Sequence, residues 1–373
     1  MRINLSTAKR NMGMSTVMAS ILSLAAIVAI FASAGVSAAA YSGTGGAVYI
    51  IDNSASGNNV WVYARAADGS LTSLGSVSTN GLGTGAALAS QGAVALAGHW
   101  LLVVDAGSNE ISVFKVQGTT LTFASKTGSE GTDPISLTVH GNLVYALDAG
   151  GSGNIAGFWL SSAGVLNFIT GSNQPLSGAS SPSPEQIGFN NYGNVLVVTE
   201  KGTNTIDTYT VASTGVASAP DSQTSAGSGP YGFSFNSADQ LIVSEAASNS
   251  VSSYFVSSSG QLRIISGAIP DFGLAPCWLV VDGTGHFAYA ANAHGGTISV
   301  LHIAKNGGLR LFSSVAAQTA IPALDMAFAQ NSHFLYIRNG ASITGYLVFS
   351  DGSISSIGYV SGIAASAAGL AAF

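Results

Sequence analysis

The feature that most constrains the fold is a pattern of strands that recurs seven times along the chain. Each repeat has two apolar stretches joined by a short turn, followed by a stretch of the form Ile/Val-x-x-aromatic. The third stretches start at Val60, Ile111, Ile155, Ile206, Val251, Ile298 and Ile343. Successive starts lie 44 to 51 residues apart, close to the ~40–50 residues of a four-stranded propeller blade. The repeat therefore predicts an all-β fold, a seven-bladed β-propeller.

A glycine-containing turn follows each third strand, and a fourth strand is expected after it. The turns are Asp68-Gly69, Gly118, Gly164, Gly215, Gly260, Asn306-Gly307 and Asp351-Gly352. Glycine supplies the positive φ that a tight hairpin turn needs. Each repeat is thus expected to form one four-stranded antiparallel sheet.

The two ends of the chain complement each other. The first repeat begins directly at its second strand, residues 48–51, whereas the last repeat is followed by an extra segment, residues 368–373. This segment resembles the inner strands expected at residues 184–189 and 230–235. We expect the C-terminal strand to complete blade one and close the ring, which leaves only short protected edges. A two-sheet sandwich is the alternative, but it does not explain why the ends match.

The first forty residues have the composition of a secretory signal peptide. Arg2, Lys9 and Arg10 precede a mostly apolar stretch, and small residues fill positions 37–40. An uncleaved membrane anchor is the alternative, because the apolar stretch approaches the ~20 residues that span a bilayer. The predicted organisation is a signal peptide at 1–40 and a propeller at 41–373. The propeller is then secreted, periplasmic or extracellular, and it meets the membrane only if the first segment stays attached.

Charge and cysteine content exclude several classes of function. Three of the eleven Lys and Arg residues lie in the first forty positions, whereas all seventeen Asp and Glu residues follow. The chain from Tyr41 onward carries a formal net charge of −9, and such a surface repels the phosphate backbone of nucleic acid. Cys277 is the only cysteine, so the chain has no intramolecular disulfide and Cys277 is expected to be a small buried side chain.

Three stretches carry a resemblance to a known family: Ser90-Gln91-Gly92, residues 133–139 and residues 198–206. With the blade repeat, they resemble the lactonase family of seven-bladed propellers, of the 6-phosphogluconolactonase and carboxy-muconate cyclase type. Residues 198–206 are also similar to YVTN-type surface propeller repeats. The resemblance implies hydrolysis of a lactone or related cyclic ester in a pocket at the central channel.

Family members carry His and Arg on the inner strands, typically in a Pro-x-His arrangement. In this chain the residues after the inner-strand prolines are Ile135-Ser136, Glu185-Gln186, Tyr231-Gly232 and Cys277-Trp278. A phosphorylated sugar needs fixed cationic donors, and these positions hold none. The departure therefore argues against an anionic sugar phosphate as substrate.

Acidic residues are expected to surround one mouth of the channel, where inner strands begin and second strands end. The second strands end in Asp52, Asp105, Asp148, Glu200, Glu245, Asn292 and Asn339. Glu185 and Asp325, on inner strands, are candidate neighbours. A rim of this kind favours a neutral polyol, a neutral lactone or a divalent cation such as Ca²⁺, with Asp105, Asp148, Glu185, Glu245 and Asp325 as the predicted ligand-binding residues. The alternative is that the short side chains cap the loops after the second strands.

Two functions from different classes remain open. In a lactonase, Glu200 or His294 would activate water and Lys201 or Arg338 would stabilise the oxyanion. No two histidines have zinc-site spacing, so no cofactor is required, with Ca²⁺ as the one metal considered. The second function is a non-catalytic extracellular binding or scaffold propeller, whose partner is a small neutral molecule or a cell-surface ligand.

Overall fold

A computed structural model describes residues 44–373, which form 29 β-strands and no helix. In chain order the strands are β1 (Gly46–Ile51), β2 (Asn59–Arg65), β3 (Leu71–Ser78), β4 (Val94–Ala97), β5 (Trp100–Asp105), β6 (Glu110–Gln117), β7 (Thr120–Gly128), β8 (Pro134–His140), β9 (Leu143–Asp148), β10 (Asn154–Leu160), β11 (Leu166–Phe168), β12 (Gln174–Pro175), β13 (Pro184–Phe189), β14 (Val195–Glu200) and β15 (Thr205–Thr210). They continue with β16 (Asp221–Thr224), β17 (Pro230–Phe235), β18 (Gln240–Glu245), β19 (Ser250–Val256), β20 (Leu262–Pro270), β21 (Pro276–Val281), β22 (Phe287–Asn292), β23 (Thr297–Ile303), β24 (Leu309–Gln318), β25 (Ala323–Ala329), β26 (Phe334–Asn339), β27 (Ser342–Val348), β28 (Ile354–Ser361) and β29 (Ala368–Ala372). The predicted signal segment, residues 1–40, lies outside the described residues.

The strands form seven antiparallel sheets, so the predicted seven-bladed propeller is confirmed. Blade 1 has the strand order β29-β1-β2-β3, and each later blade is built from consecutive strands, with β12 as an addition to blade 3. β29 pairs with β1 antiparallel, and Phe373 N–H donates to Ala47 O at 3.1 Å. The C-terminal strand therefore closes the ring as the matching ends predicted. The described chain contains no helix that could cross a membrane.

Each of the repeated turns lies within one blade and can accept a hydrogen bond from the neighbouring blade. The glycine in each turn after a third strand has positive φ, between 59° at Gly118 and 85° at Gly69 and Gly352. In several blades a buried tyrosine of the second strand donates to such a glycine carbonyl in the next blade, as from Tyr145 to Gly215 at 2.6 Å and from Tyr336 to Gly69 at 2.6 Å. Apolar packing between blades supplies the core, and these hydrogen bonds fix each blade to its neighbour.

Side chains from blades 2 and 6 meet across the centre of the ring. The Gln91 side-chain amide donates to Leu279 O at 2.8 Å and accepts from Leu279 N–H at 3.0 Å. Beside it, the Trp278 indole N–H donates to Ser90 O at 2.9 Å. Gln91, Trp278 and Ser90 are all buried. This bridge occupies the channel, so a ligand site must lie on a face of the ring and not along its axis.

Candidate active site at one mouth of the channel

Several inner strands begin with β-bulges that change the direction of one side chain. In blade 4, Pro184 pairs with Glu200 and Gln186 pairs with Thr199, which leaves Glu185 without a partner in the ladder. Ile135 in blade 3 and Cys277 in blade 6 occupy the same position after their prolines. Bulges commonly redirect a side chain next to a functional site. In blades 3, 4 and 6 they leave one residue out of the ladder at the start of the inner strand.

Glu185 and Lys201 form the ion pair at this mouth. Lys201 Nζ lies 2.5 Å from Glu185 Oε1 and 5.0 Å from the centre of the Tyr231 ring. The Glu185 side chain is 2% exposed and that of Lys201 is 38% exposed. Glu185 Oε2 meets no donor at hydrogen-bond distance. Burial raises the pKa of Glu185 to about 7, against the opposing effect of the Lys201 charge. The pair thus combines a carboxyl that titrates near neutral pH with a solvent-accessible cation.

A cavity of about 450 Å³ opens beside Glu185. Its polar lining consists of Thr84, Asp133, Ser183 and Glu185. We call the remaining lining residues the apolar wall: Ala86, Ala87, Leu88, Ala89, Ile135, Ala149 and Pro184. Asp133 Oδ1 is buried without a hydrogen-bond partner, and burial raises the pKa of this carboxyl. Two carboxyl groups therefore line one cavity.

The acidic residues that end the second strands in blades 2 and 3 are enclosed by hydroxyl and amide groups, several of which come from the preceding blade and the crossing that leaves it. Asp105 accepts hydrogen bonds from Asn58 at 2.9 Å, Thr79 at 2.5 Å and Ser112 at 2.6 Å. Asp148 accepts one from Ser129 at 2.5 Å. Both aspartates have no exposed surface. Burial raises the pKa of Asp105 and that of Asp148, to about 7. With these contacts, each aspartate caps the crossing that leads from one blade to the next.

Glu200 and Glu245 make similar contacts in blades 4 and 5. Glu200 accepts from the Ser177 backbone N–H at 2.8 Å and the Ser177 hydroxyl at 2.6 Å. Glu245 accepts from the Ser225 hydroxyl at 2.7 Å, and burial raises its pKa. Neither carboxylate has exposed surface. A substrate could reach Glu200 only if the Ser177 segment moved, so a role as base stays a prediction that this geometry does not favour.

Asp207 makes blade 4 different from the other blades. It occupies the third-strand position that Ser112 holds in blade 2, and it hydrogen-bonds to Glu200. Burial, followed by the neighbouring Glu200, raises the pKa of Asp207 to about 8. Burial acts in the same direction on Glu200, but hydrogen bonds from Asp207 and Ser177 outweigh it and leave its pKa lowered. Of the two neighbouring carboxyl groups, that of Asp207 therefore has the higher pKa.

The remaining predicted site residues lie elsewhere. Arg338 is 2% exposed, and its Nη2 donates to the carbonyls of Ala364 and Ala365 at 3.2 and 2.9 Å. Asp325 accepts from Gly369 N–H at 3.0 Å, and burial raises its pKa to about 7 despite the Arg338 charge. Arg338 and Asp325 therefore hold the segment that closes the ring. His294 is exposed on the loop after β22, and its backbone N–H donates to Leu274 O at 3.1 Å.

The described residues contain no group of three or more His, Cys, Asp and Glu side chains that could hold a metal ion. The carboxylates that were expected to share a cation lie in different blades. Several of them accept hydrogen bonds from hydroxyl groups of the protein. Cys277 is buried, and burial raises the pKa of its thiol to about 12, which suits a packing residue better than a nucleophile.

The sequence interpretation missed Asp133, Asp207 and the apolar segment at residues 86–89 as parts of this region. Asp133 directly precedes the inner-strand proline of blade 3, so proximity to Pro134 was an available signal. Nothing local in the sequence indicates that residues 86–89 fold toward Glu185, because that contact joins blades 1 and 2 to blade 4.

Comparison with known proteins agrees with this architecture. The family model described as "Lactonase, 7-bladed beta-propeller" matches residues 25–161 and 241–341. A Bacteroides fragilis protein provisionally assigned as a 6-phosphogluconolactonase is 16% identical, with a TM-score of 0.70 over 88% of this chain and 98% of its own. A periplasmic gluconolactonase from Pseudomonas aeruginosa is 15% identical, with a TM-score of 0.68 over 88% of this chain and 99% of its own. No curated protein sequence matches the chain.

Proposed function

Since the chain belongs to the lactonase family of seven-bladed β-propellers, we propose that it is a secreted lactonase that hydrolyses an uncharged lactone with Glu185 as general base. The observation that carries the proposal is that Glu185, which lines the 450 Å³ cavity, forms an ion pair with Lys201. A cavity of this size lies in the range that accommodates small organic ligands, about 300–1,000 Å³. A general base works best when its pKa lies near the working pH, and that of Glu185 is about 7.

The two carboxylate oxygens of Glu185 have different surroundings. Lys201 occupies Oε1 at 2.5 Å, whereas Oε2 has no donor. We assign the Glu185 carboxylate as the group that removes a proton from a water molecule in the cavity. The oxygen of this water bonds to the lactone carbonyl carbon, and the charge that develops on the carbonyl oxygen is stabilised by the Lys201 ammonium. The ring C–O bond then breaks, and the ring oxygen takes the proton held by Glu185, which gives the open hydroxy acid.

The charge of the cavity supports an uncharged substrate and release of the product. Asp133 and Glu185 both line it, and Lys201 is the cation in contact with Glu185. A phosphorylated substrate would bring about two negative charges against two carboxyl groups and one ammonium. The hydroxy acid product carries one new negative charge, so repulsion from the same carboxylates favours its departure.

The proposed location and partner follow from the N-terminal composition and the site. Residues 1–40 have the order of a signal peptide, and the Pseudomonas aeruginosa relative is described as periplasmic. We propose an extracytoplasmic enzyme whose partner is a small neutral molecule. The reaction as written uses no cofactor, so EDTA is expected to leave the rate unchanged.

The experiment is a pH-stat assay of acid release from a panel of uncharged lactones. Glu185→Gln is expected to lower kcat/KM by at least about 100-fold, the lower end of what general base catalysis contributes. The rate of the wild type should rise with pH and level off above about pH 7, as Glu185 ionises. Lys201→Met should move that midpoint to higher pH, since the Lys201 charge lowers the pKa of Glu185.

A matched control is available on the outside of blade 2. Glu110 Oε2 and Lys126 Nζ form an ion pair at 3.0 Å, away from the cavity lining, and Glu110→Gln should leave the rate unchanged. Equal rates for Glu185→Gln and the wild type would remove Glu185 from the mechanism. Absence of turnover on every lactone would refute the proposed function.

A further inference from the structure

The lining of the cavity is largely apolar, and this restricts the substrate further than its charge does. Its apolar wall comes from three directions: the crossing from blade 1 to blade 2, the start of blade 3 and the start of blade 4. Ala86, Ala87 and Ala89 are exposed, so their methyl groups face open space in the absence of a ligand. On this basis we propose that the substrate is a lactone with a hydrocarbon substituent, not a polyhydroxylated sugar lactone. This inference rests on the proposed lactonase function and specifies its substrate class.

The hydroxyl groups of the cavity are already engaged within the protein. Thr84 Oγ1 accepts from Asn53 Nδ2 at 2.8 Å and lies 3.2 Å from Ala86 O, to which it donates. Ser183 Oγ donates to Glu185 Oε1 at 3.3 Å. A sugar lactone would bring several hydroxyl groups, and each one buried without a partner weakens binding. The two hydroxyl side chains of the cavity are thus already engaged, which leaves the carboxyl groups of Asp133 and Glu185 as the polar side chains that could meet a sugar ring.

The apolar wall is held in a fixed position. Asn53 is buried, and besides Thr84 its side-chain amide donates to Ala86 O at 2.6 Å. A Cβ on Gly83 would approach the Asn53 backbone to 2.1 Å, so only glycine allows the chain to pass there. The crossing segment is therefore anchored at its start, which gives a hydrocarbon group a preformed surface to pack against. A bare lactone ring would fill only part of the 450 Å³.

The size of the expected preference follows from apolar burial. Each methylene transferred from water contributes about 0.8 kcal/mol, or roughly fourfold in kcat/KM, until the wall is covered. A δ-lactone with a five-carbon alkyl chain should therefore exceed unsubstituted δ-valerolactone by well over tenfold. It should exceed glucono-δ-lactone, which is also uncharged, by at least the same factor.

The test measures kcat/KM for glucono-δ-lactone and for δ-lactones with alkyl chains of increasing length. Ala87→Asn places an amide in the wall and should flatten the dependence on chain length. Ala219→Asn is the control, since Ala219 is exposed on blade 4 outside the cavity lining. Calorimetric titration of Glu185→Gln with the longest alkyl lactone measures binding separately from turnover.

The outcomes separate this inference from the proposed function. A higher kcat/KM on glucono-δ-lactone, or equal rates at all chain lengths, overturns the hydrocarbon substrate and leaves the lactonase function standing. Absence of turnover with binding that Ala87→Asn weakens overturns the function but supports an apolar ligand site. Absence of both turnover and binding overturns both.

Discussion

Asp148 offers a test of how the enclosed carboxyl groups affect the pH dependence of folding. Its side chain has no exposed surface, and its partners are the hydroxyl of Ser129 and the amide of Asn154, with no cation among its hydrogen-bond partners. Burial raises its pKa from 3.8 to about 7, with smaller contributions from the charges of Asp133 and Glu130 in the same direction. We expect Asp148→Asn to stabilise the protein at alkaline pH and to have little effect at acid pH.

The sign and the size of this effect follow from proton linkage. The folded state binds a proton at Asp148 more tightly than the unfolded state does, so this group lowers the free energy of unfolding as pH rises from about 4 to about 7. One tenfold change in proton affinity corresponds to about 1.4 kcal/mol, so the upper limit of the effect is about 4 kcal/mol. Asparagine has the shape of the protonated carboxyl and does not ionise. The variant should therefore match the wild type near pH 4 and exceed it by about 2–4 kcal/mol at pH 8.

Urea unfolding followed by tryptophan fluorescence at several values between pH 4 and pH 8 measures this difference directly. Asp68→Asn is the control, because Asp68 is exposed and hydrogen bonds from Ser70 lower its pKa. The control should show no gain in stability at alkaline pH. If the Asp148→Asn and wild-type curves stay parallel from pH 4 to pH 8, the buried carboxyl carries its charge without penalty and the reasoning is wrong.

Two further predictions concern the closure of the ring and its centre. Deletion of residues 367–373 removes β29, including the buried Leu370. It also removes the contacts of Phe373 with Ala47 and with Arg65. The deletion should abolish cooperative thermal unfolding or lower Tm by tens of degrees, whereas removal of residues 41–45 should shift Tm by a few degrees; equal melting of the two would contradict the closure. Gln91→Leu leaves the Leu279 backbone N–H and C=O without their partners, so it should cost about 2–4 kcal/mol. Urea unfolding measures this cost, and a loss below about 1 kcal/mol would mean that water replaces the amide.

The blades could be predicted from the sequence because each is encoded locally. An apolar strand, a glycine turn and an Ile/Val-x-x-aromatic strand lie within one repeat, and all of the expected third-strand starts fall one residue inside an observed strand, as Val60 does in β2. The closing strand was predictable for the same reason, since residues 368–373 resemble the inner strands. By contrast, the Gln91 bridge joins residues 188 positions apart, and no local pattern indicates it.

The candidate site was predicted only in part because register, and not proximity to the channel, decides where a side chain points. Glu185 and Lys201 were expected at the mouth, and the structure brings them together at 2.5 Å. Asp105 and Asp148 were expected in the same rim, but hydroxyl groups on the crossings between blades enclose them. A signal existed: Thr79 and Ser129 each follow the fourth strand of a blade directly, which is where a buried carboxylate would find its donor.

The same repeat therefore provides two kinds of acidic position with different consequences. A residue at the end of a second strand is paired in the ladder on both sides, as Glu200 is with Pro184 and Thr205, and its side chain is held by the crossing from the preceding blade, as by Ser177. A residue after the inner-strand proline is excluded from the ladder by a bulge, as Glu185 is, and its side chain turns toward the mouth. Substitution at the first kind of position changes stability and its pH dependence, whereas substitution at the second changes the chemistry available to a ligand. In blade 4 the two kinds of position are adjacent, because Glu200 pairs with Pro184 and Glu185 directly follows Pro184. Glu200 holds the Ser177 segment, whereas Glu185 is the residue that we assign as the base.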